Sequence, residues 1–438
     1  MASVGSNTVK KLERDASEEL CELDLDQISR CTNVSDLFHG INRDLNVIEQ
    51  KQHQQKLRLT GEGEANTGVV DGDLKRNTCQ SHEPHSIDPG TTSSPSTEEF
   101  LAGGLSRVKT LLYNSDPGDN SNSDQRSKDG PSNIARAVML HMVEKYPNLL
   151  PRLLDQISLP SMPFEARKDV SAIFNHLLVV TSRYSVDECQ SVDTATLNSP
   201  ANDASYSSVY VKYIDSKYKE IMIPIVKGHE SPDTALHCGS MLRSTLRHPI
   251  LYQRLLCPNE VSKFFYPLLD VYVHLPNFDI ASDALVTIRD IIIRDRGTAA
   301  EFLEREYCGI FTRYNVMLRS ENYITRRMSL TLLGEILLDR SNYHVMIKYI
   351  STRENLTIIM LLLRDPSSII QFEAFHVFKI FVANPNKPAE VIKILALNKV
   401  KLVAYLENFH SDKENGDDQF RDEKALVVTA LKCLEEAL

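Results

Sequence analysis

Tryptophan is absent from this chain, no two cysteines form a CxxC pair, and no apolar run approaches the length of a membrane span. The eight cysteines, Cys21, Cys31, Cys79, Cys189, Cys238, Cys257, Cys308 and Cys433, are scattered along 438 residues. In a chain of this size they suit reduced cytosolic thiols and exclude a disulfide frame or a zinc-finger spacing. The opening "MASVGSNTVKK" lacks the apolar core of a signal peptide, and Ala2 stands where myristoylation needs glycine. A cytoplasmic chain without membrane insertion is expected. Catalytic signatures are missing too: there is no GxSxG, no GxxxxGK, no HExxH and no GxGxxG after a strand. His82 and His85 flank Glu83 and Pro84 in a polar stretch, and "DNSNSDQRSKDG" lacks the central glycine and final glutamate of a calcium loop. No metal, cofactor or catalytic residue is therefore assigned. The net charge of −10 argues against a general nucleic-acid binder.

Glycine is scarce beyond the first third: 11 of the 17 glycines lie in residues 1–130. There, "TGEGEANTGVVDGD" and "DPGTTSSPSTEE" supply no helical or alternating period, so about 59–97 is expected to be disordered. Residues 9–56 have room for one or two short, polar, frayed helices. The division expected is an N-terminal extension, 1–97, which the fold could lose, and a helical domain, 98–438, with polar insertions at 115–132 and 184–207.

From Ile134 onward helical periodicity dominates, and it repeats. Steps of 45 residues back from Ala374 reach Ser329, Ala284 and Gly239, all small. The same steps from Phe381 give Ile336, Ile291 and Leu246, and from Ile370 give Thr325, Ile280 and Ala235. A period of about 40–47 residues filled only by helices marks an all-α solenoid of HEAT or armadillo type. Stacking explains "SSIIQFEAFHVFKIFVANP", which is apolar on nearly every side: neighbours cover both faces. Asp365-Pro366 is expected to start this helix and "NPNKP" to stop it, while "DRGT" and "DRSN" end its counterparts upstream. Gln371, His376 and Lys379 are expected at the edge of a groove.

The repeats are the basic part of an acidic chain. Residues 276–410 hold 17 Lys+Arg against 15 Asp+Glu. Arg326 and Arg327 open one helix and Arg340 follows its end, near Tyr343. An arginine placed there completes a helix C-terminus in the simplest case; beside Tyr343 and an exposed Met360 it would anchor an acidic, aromatic peptide.

The strings "NFDIASDALVTIRD", "SENYITRRMSLTLLGEILLDR" and "IIQFEAFHVFKIFVANPNK" resemble the calcium-binding protein 39 family, also called Mo-type or Hym-like, over about 98–436. The resemblance implies an armadillo-like cytosolic scaffold that is monomeric within a hetero-complex. Its implied partners are pseudokinases of the STRAD type and germinal-centre kinases, held in an active conformation. It further implies a pocket for a C-terminal Trp-Glu-Phe peptide at Arg340, Tyr343 and Met360, and a concave kinase-binding face at Phe278, Tyr323 and Arg327. Thr331, Thr357 and Leu397 stand where the family leads one to expect lysine. The alternatives are an armadillo-like carrier of other peptide cargo, disfavoured by the missing tryptophans, and an unrecognised helical hydrolase.

Overall fold

The computed structural model describes residues 25–60, 96–114, 133–187, 209–411 and 416–434. Every regular element among them is helical. The chain divides into two compact units, 1–217 and 218–438.

The first unit contains α1 (Leu25–Thr60), α2 (Thr97–Asn114), α3 (Asn133–Leu140), a π-helical turn (His141–Lys145), α4 (Leu149–Gln156), α5 (Phe164–Asp187) and α6 (Val209–Ser216). Helix α1 departs from the expectation of short, frayed helices. It is one helix of 36 residues, and Val34, Phe38, Ile41, Leu45 and Ile48 are buried at heptad-like spacing. They pack on α2, which buries Leu101, Leu105, Val108 and Leu112 in the same rhythm. Gly104 sets the approach of these helices: a Cβ there would stand 2.8 Å from Ile41 Cγ1. Helix α2 starts with a capping box, in which Glu99 N–H donates to Ser96 Oγ at 3.2 Å and Ser96 N–H donates to Glu99 Oε2 at 2.7 Å.

Polar groups fasten α1 as well. Arg152 on α4 donates to Asn42 Oδ1 (2.7 Å), Asn46 Oδ1 (2.6 Å) and both oxygens of Glu49 (3.0 and 2.8 Å). One turn on, Gln52 donates to Gln156 Oε1 at 2.7 Å and to Ser161 Oγ at 2.6 Å. A boundary at 97/98 would thus cut α1 from the core that it completes. Residues 1–24, 61–95, 115–132 and 188–208 lie outside the described residues, so the disorder and insertion expectations fall mostly there; 184–187 belong to α5.

The second unit runs through α7 (Tyr218–Lys227), α8 (Ala235–Thr245), α9 (Pro249–Leu255), α10 (Pro258–Phe264), α11 (Tyr266–Asp270), α12 (Phe278–Ile293), α13 (Arg296–Arg305), α14 (Tyr307–Leu318), α15 (Tyr323–Leu338), α16 (Tyr343–Ile350), α17 (Arg353–Leu362), α18 (Ser368–Ala383), α19 (Ala389–Glu407) and α20 (Asp418–Lys432). Helices α12, α15 and α18 are each 16 residues long and start 45 residues apart. Helix α8 packs on α12, α12 on α15, α15 on α18 and α18 on α20. Gly239, Ala284, Ser329 and Ala374 are all buried along this series, as are the residues in phase with Ile370 and Phe381. Thr325, polar at an apolar position, donates its hydroxyl to Val273 O at 3.0 Å. The fold is therefore an all-α helical repeat, as its 45-residue period requires.

Breakers act twice in this unit. Asp295 follows α12 and caps α13, accepting from the N–H groups of Gly297 and Thr298, and Asp339 follows α15 and caps the next turn. The start of α18 lies two residues later than the Asp-Pro pair suggests, with Ser367 as its cap. Asp365 is used otherwise: one oxygen accepts from Ser367 N–H (2.9 Å) and the other pairs with Arg326 (2.9 Å).

The apolar helix α18 buries Phe375 and Val382 as well as its main stripe, because α20 lies over its second face. Gln371, His376 and Lys379 of this helix, each only partly buried, have partners within the unit. Lys379 Nζ bonds Glu423 Oε2 on α20 at 2.6 Å, His376 Nδ1 lies 3.9 Å from the same oxygen, and Gln371 donates to Asp365 O at 2.7 Å. All three are spent inside the unit.

Candidate functional site

Phe278 and Tyr323 occupy equivalent places, each the first residue of an inner helix. Asn277 and Asn322 precede them as caps. Asn277 Oδ1 accepts from Asp279 N–H (3.0 Å) and Ile280 N–H (3.3 Å), and Asn322 Oδ1 from Ile324 N–H (2.9 Å) and Thr325 N–H (3.5 Å). Because α12 packs on α15, these shared caps set two aromatic rings at the starts of adjacent helices. Phe278 is 55% exposed and Tyr323 half-buried. Arg327 follows Tyr323 by one helical turn and shares its face.

The two arginines that opened this helix in the sequence have separate fates. Arg326 pairs with buried Asp365 and donates to Ser320 O at 2.7 Å. Arg327 is exposed and its guanidinium bonds no described residue. One cation holds the fold and its neighbour is available.

Arg340 is similarly available. It opens the 3-10 turn Arg340–Asn342 between α15 and α16, and that turn is pinned from both sides. Asp339 accepts from Ser341 N–H at 2.9 Å and pairs with Arg296 at 3.3 Å, while Asn342 Nδ2 donates to Ile336 O at 3.0 Å. The end of α15 is thereby capped without Arg340, whose exposed guanidinium bonds no described residue. This removes the simplest structural role for that side chain. Tyr343, 57% exposed, starts α16 and meets only the ring of His344 among described aromatics. Met360 is half-exposed on α17, which packs on α16; no hydrogen bond or ring contact joins it to the other two. Arg340 and Tyr343 thus share one corner, and Met360 belongs to the adjoining helix.

Sequence reasoning missed Leu338, the last residue of α15, which is 61% exposed two residues before Arg340. Its signal was phase: Leu333, Ile336 and Leu337 carry the buried stripe and Leu338 falls off it. Leu397 and Val400 on α19 were also unforeseen as a pair, at 76% and 82% exposure. They lie opposite the buried series Val391, Leu395, Leu402 and Leu406. Thr331 and Thr357, found where lysine was expected, turn their hydroxyls back to the carbonyls of Arg327 (3.2 Å) and Arg353 (3.0 Å).

Among the described residues, no group of three or more His, Cys, Asp or Glu is arranged to hold a metal ion. His82, His85 and the "DNSNSDQRSKDG" loop lie outside those residues. No described helix is long and apolar enough to cross a membrane.

A Mo25-like family model matches residues 73–435, so α1 precedes the matched span. "Calcium-binding protein 39-like" of Mus musculus is 42% identical over 274 residues, covering 63% of this chain and 73% of its own length. "MO25-like protein 2" of Caenorhabditis elegans is 39% identical over 336 residues, 77% of this chain and 87% of its own. The "Mo25-like protein" of Schizosaccharomyces pombe is 42% identical over 291 residues, 66% and 79% of the respective chains. Among solved structures, a designed armadillo repeat protein in complex with peptide (KR)4 aligns with a TM-score of 0.36 and 13% identity, over 64% of this chain and 99% of that one. With a family match over most of its length and relatives near 40% identity, the chain belongs to the Mo25-like family.

Proposed function

We propose that this protein is a cytoplasmic, non-catalytic scaffold that binds a pseudokinase or a germinal-centre kinase and stabilises its active conformation. Family membership supports the coarser part, a non-enzymatic helical scaffold. In the finer reading, Phe278, Tyr323 and Arg327 contact the kinase fold, and Arg340, Tyr343 and Met360 take an acidic, aromatic C-terminal peptide. The mechanism is a population shift: a surface that binds the closed lobe arrangement better than the open one raises its occupancy without touching substrate.

The observation that carries this reading is the placement of two uncommitted guanidinium groups, Arg327 one helical turn after Tyr323 and Arg340 at the start of the turn that leads into Tyr343. Arg289, Arg296 and Arg326 are each paired with an acidic residue, whereas Arg327 and Arg340, like Arg319 and Arg353, are left to solvent; Arg327 shares its face with half-buried Tyr323, and Arg340 lies three residues before exposed Tyr343. Arginine with tyrosine is the combination that dominates interface energy, and its planar fork matches a carboxylate. Co-elution of the purified chain with a pseudokinase, compared with Phe278→Ala/Arg327→Ala, tests the first surface. Loss of the complex with an unchanged melting temperature is expected; undiminished binding would refute the assignment.

A further inference from the structure

In the second unit a fully buried histidine faces a carboxylate without bonding it. His229 lies in the 3-10 turn Gly228–Glu230 that joins α7 to α8, with no exposed surface. Its Nδ1 stands 3.0 Å from Val226 O. A carbonyl only accepts, so the neutral ring carries its proton on Nδ1 and presents a bare lone pair at Nε2. Asp283 Oδ2, on α12, faces that lone pair at 3.9 Å, and neither atom has a hydrogen-bond partner. Two acceptors are held against each other.

The groups around them are fixed. On α8, Arg243 Nη2 holds the other carboxylate oxygen at 2.8 Å while its Nη1 donates to Thr287 Oγ1 at 2.7 Å. Tyr272 stacks on the imidazole with centroids 5.1 Å apart, and its hydroxyl reaches toward Glu230 Oε1 at 3.5 Å. Cys238 is buried close to Asp283, and its thiol is pushed up to about 12, first by burial and then by that carboxylate, so it stays neutral. Lys227, Glu230 and His274 are exposed. Asp283 and Arg243 are therefore the charges that act on the ring from the packed helices.

We propose that His229 and Asp283 form a proton-operated clamp. A proton taken from solvent at Nε2 turns two facing acceptors into a donor and an acceptor. The bond then draws the 228–234 turn onto α12 and loosens the grip of Arg243 on the carboxylate. Closing 3.9 Å to hydrogen-bond length requires movement of about 1 Å, so the contact between α8 and α12 has a neutral and an acid setting. Burial, the largest influence, holds the imidazole below its ordinary 6.5, and Asp283 opposes it only in part. The acid setting is accordingly reached below pH 6.5.

The test is nuclear magnetic resonance of the full chain labelled at histidine and backbone nitrogen, titrated from pH 7.5 to 5.0. The expected result is an Nδ1–H tautomer for His229 at pH 7.5 and a midpoint below 6.5, with the amides of Gly239 and Asp283 shifting at the same midpoint. Asp283→Asn should lower that midpoint by about half a unit or more and abolish the coupled shift. An Nε2–H tautomer at neutral pH, a ring that stays neutral to pH 5.0, or amides that ignore the titration would each overturn the clamp. Should Asp283→Asn fail to fold, the tautomer and the coupled amides of the unsubstituted chain still decide.

Discussion

Gly239 lies beneath the carboxylate of Asp283, so closely that an added Cβ would stand 1.8 Å from Oδ2 and 2.8 Å from Cγ. The small residue that began the 45-residue series is thus required by an ionic contact as well as by helix packing. Gly239→Ala should displace Asp283 from Arg243 and cost about 1–3 kcal/mol. Gly334, on α15, is the control: nothing would meet its Cβ within 4 Å, so Gly334→Ala should gain about 0.5–1 kcal/mol. Urea midpoints of the two variants moving in opposite directions would bear this out. At the other end of the series, Ala374→Leu should overpack a fully buried site by a similar 1–3 kcal/mol, and an unchanged melting temperature there would contradict the stacking register.

The buried face of α1 predicts that removal of residues 1–60 exposes the apolar surface of α2 and unfolds the first unit. Arg152→Ala, a milder change, should cost about 1–2 kcal/mol by releasing Glu49, Asn42 and Asn46. Circular dichroism of the truncated chain checks the first outcome. A truncation as helical and as cooperative as the remaining sequence allows would restore the dispensable extension that composition suggests.

Arg326 and Arg327 should separate stability from recognition. Arg326→Ala strands Asp365, which is almost wholly buried, and should lower stability by about 2–3 kcal/mol. Arg327→Ala should stay within about 0.5 kcal/mol of the parent and weaken kinase binding alone. Thermal melts paired with a binding assay on both variants give the comparison.

Acid should weaken the protein in two windows. Burial holds His141 below 6.5; its Nδ1 donates to Ala137 O (2.9 Å), and Nε2 accepts from Lys145 Nζ (3.2 Å). The unfolded chain then binds the proton more readily, so this contribution is complete above pH 6.5 and fades as pH falls toward the lowered value. Glu423 behaves likewise from about 4.5 downward: burial alone would raise its pKa, but Lys379, Gln419 and His376 together outweigh burial and depress it. His229, also held below 6.5 by burial, shares the upper window, so His141→Gln should shrink that window and Lys379→Met the lower one, as read from urea midpoints between pH 7.5 and 3.5.

Much of the second unit was legible because its information is local and periodic. The 45-residue phase and the aspartates after α12 and α15 are short-range signals. The structure repeats them in place. Helix α1 was not legible, since the groups that order it lie far away in sequence. Asn42, Asn46 and Glu49 look like a solvated face until Arg152 is brought to them. The partners of Gln371, His376 and Lys379 were hidden for the same reason: they come from Asp365 and from α20. Arg340 and Tyr343 are exposed and Met360 only half so, and only the structure shows that Asn342 bonds Ile336 O at the end of α15 without Arg340.

If this corner recognises a kinase-derived peptide, as proposed, fluorescence titration of a Trp-Glu-Phe-ended peptide against the full chain will show it. With no tryptophan in the protein, the peptide supplies the signal. Saturable binding by the parent chain is expected, with a loss on the order of thirtyfold or more in Arg340→Ala/Tyr343→Ala, corresponding to about 2 kcal/mol. The melting temperature should be nearly unchanged, since both side chains are exposed. Equal affinities for parent and double variant, or no binding by the parent, would contradict it.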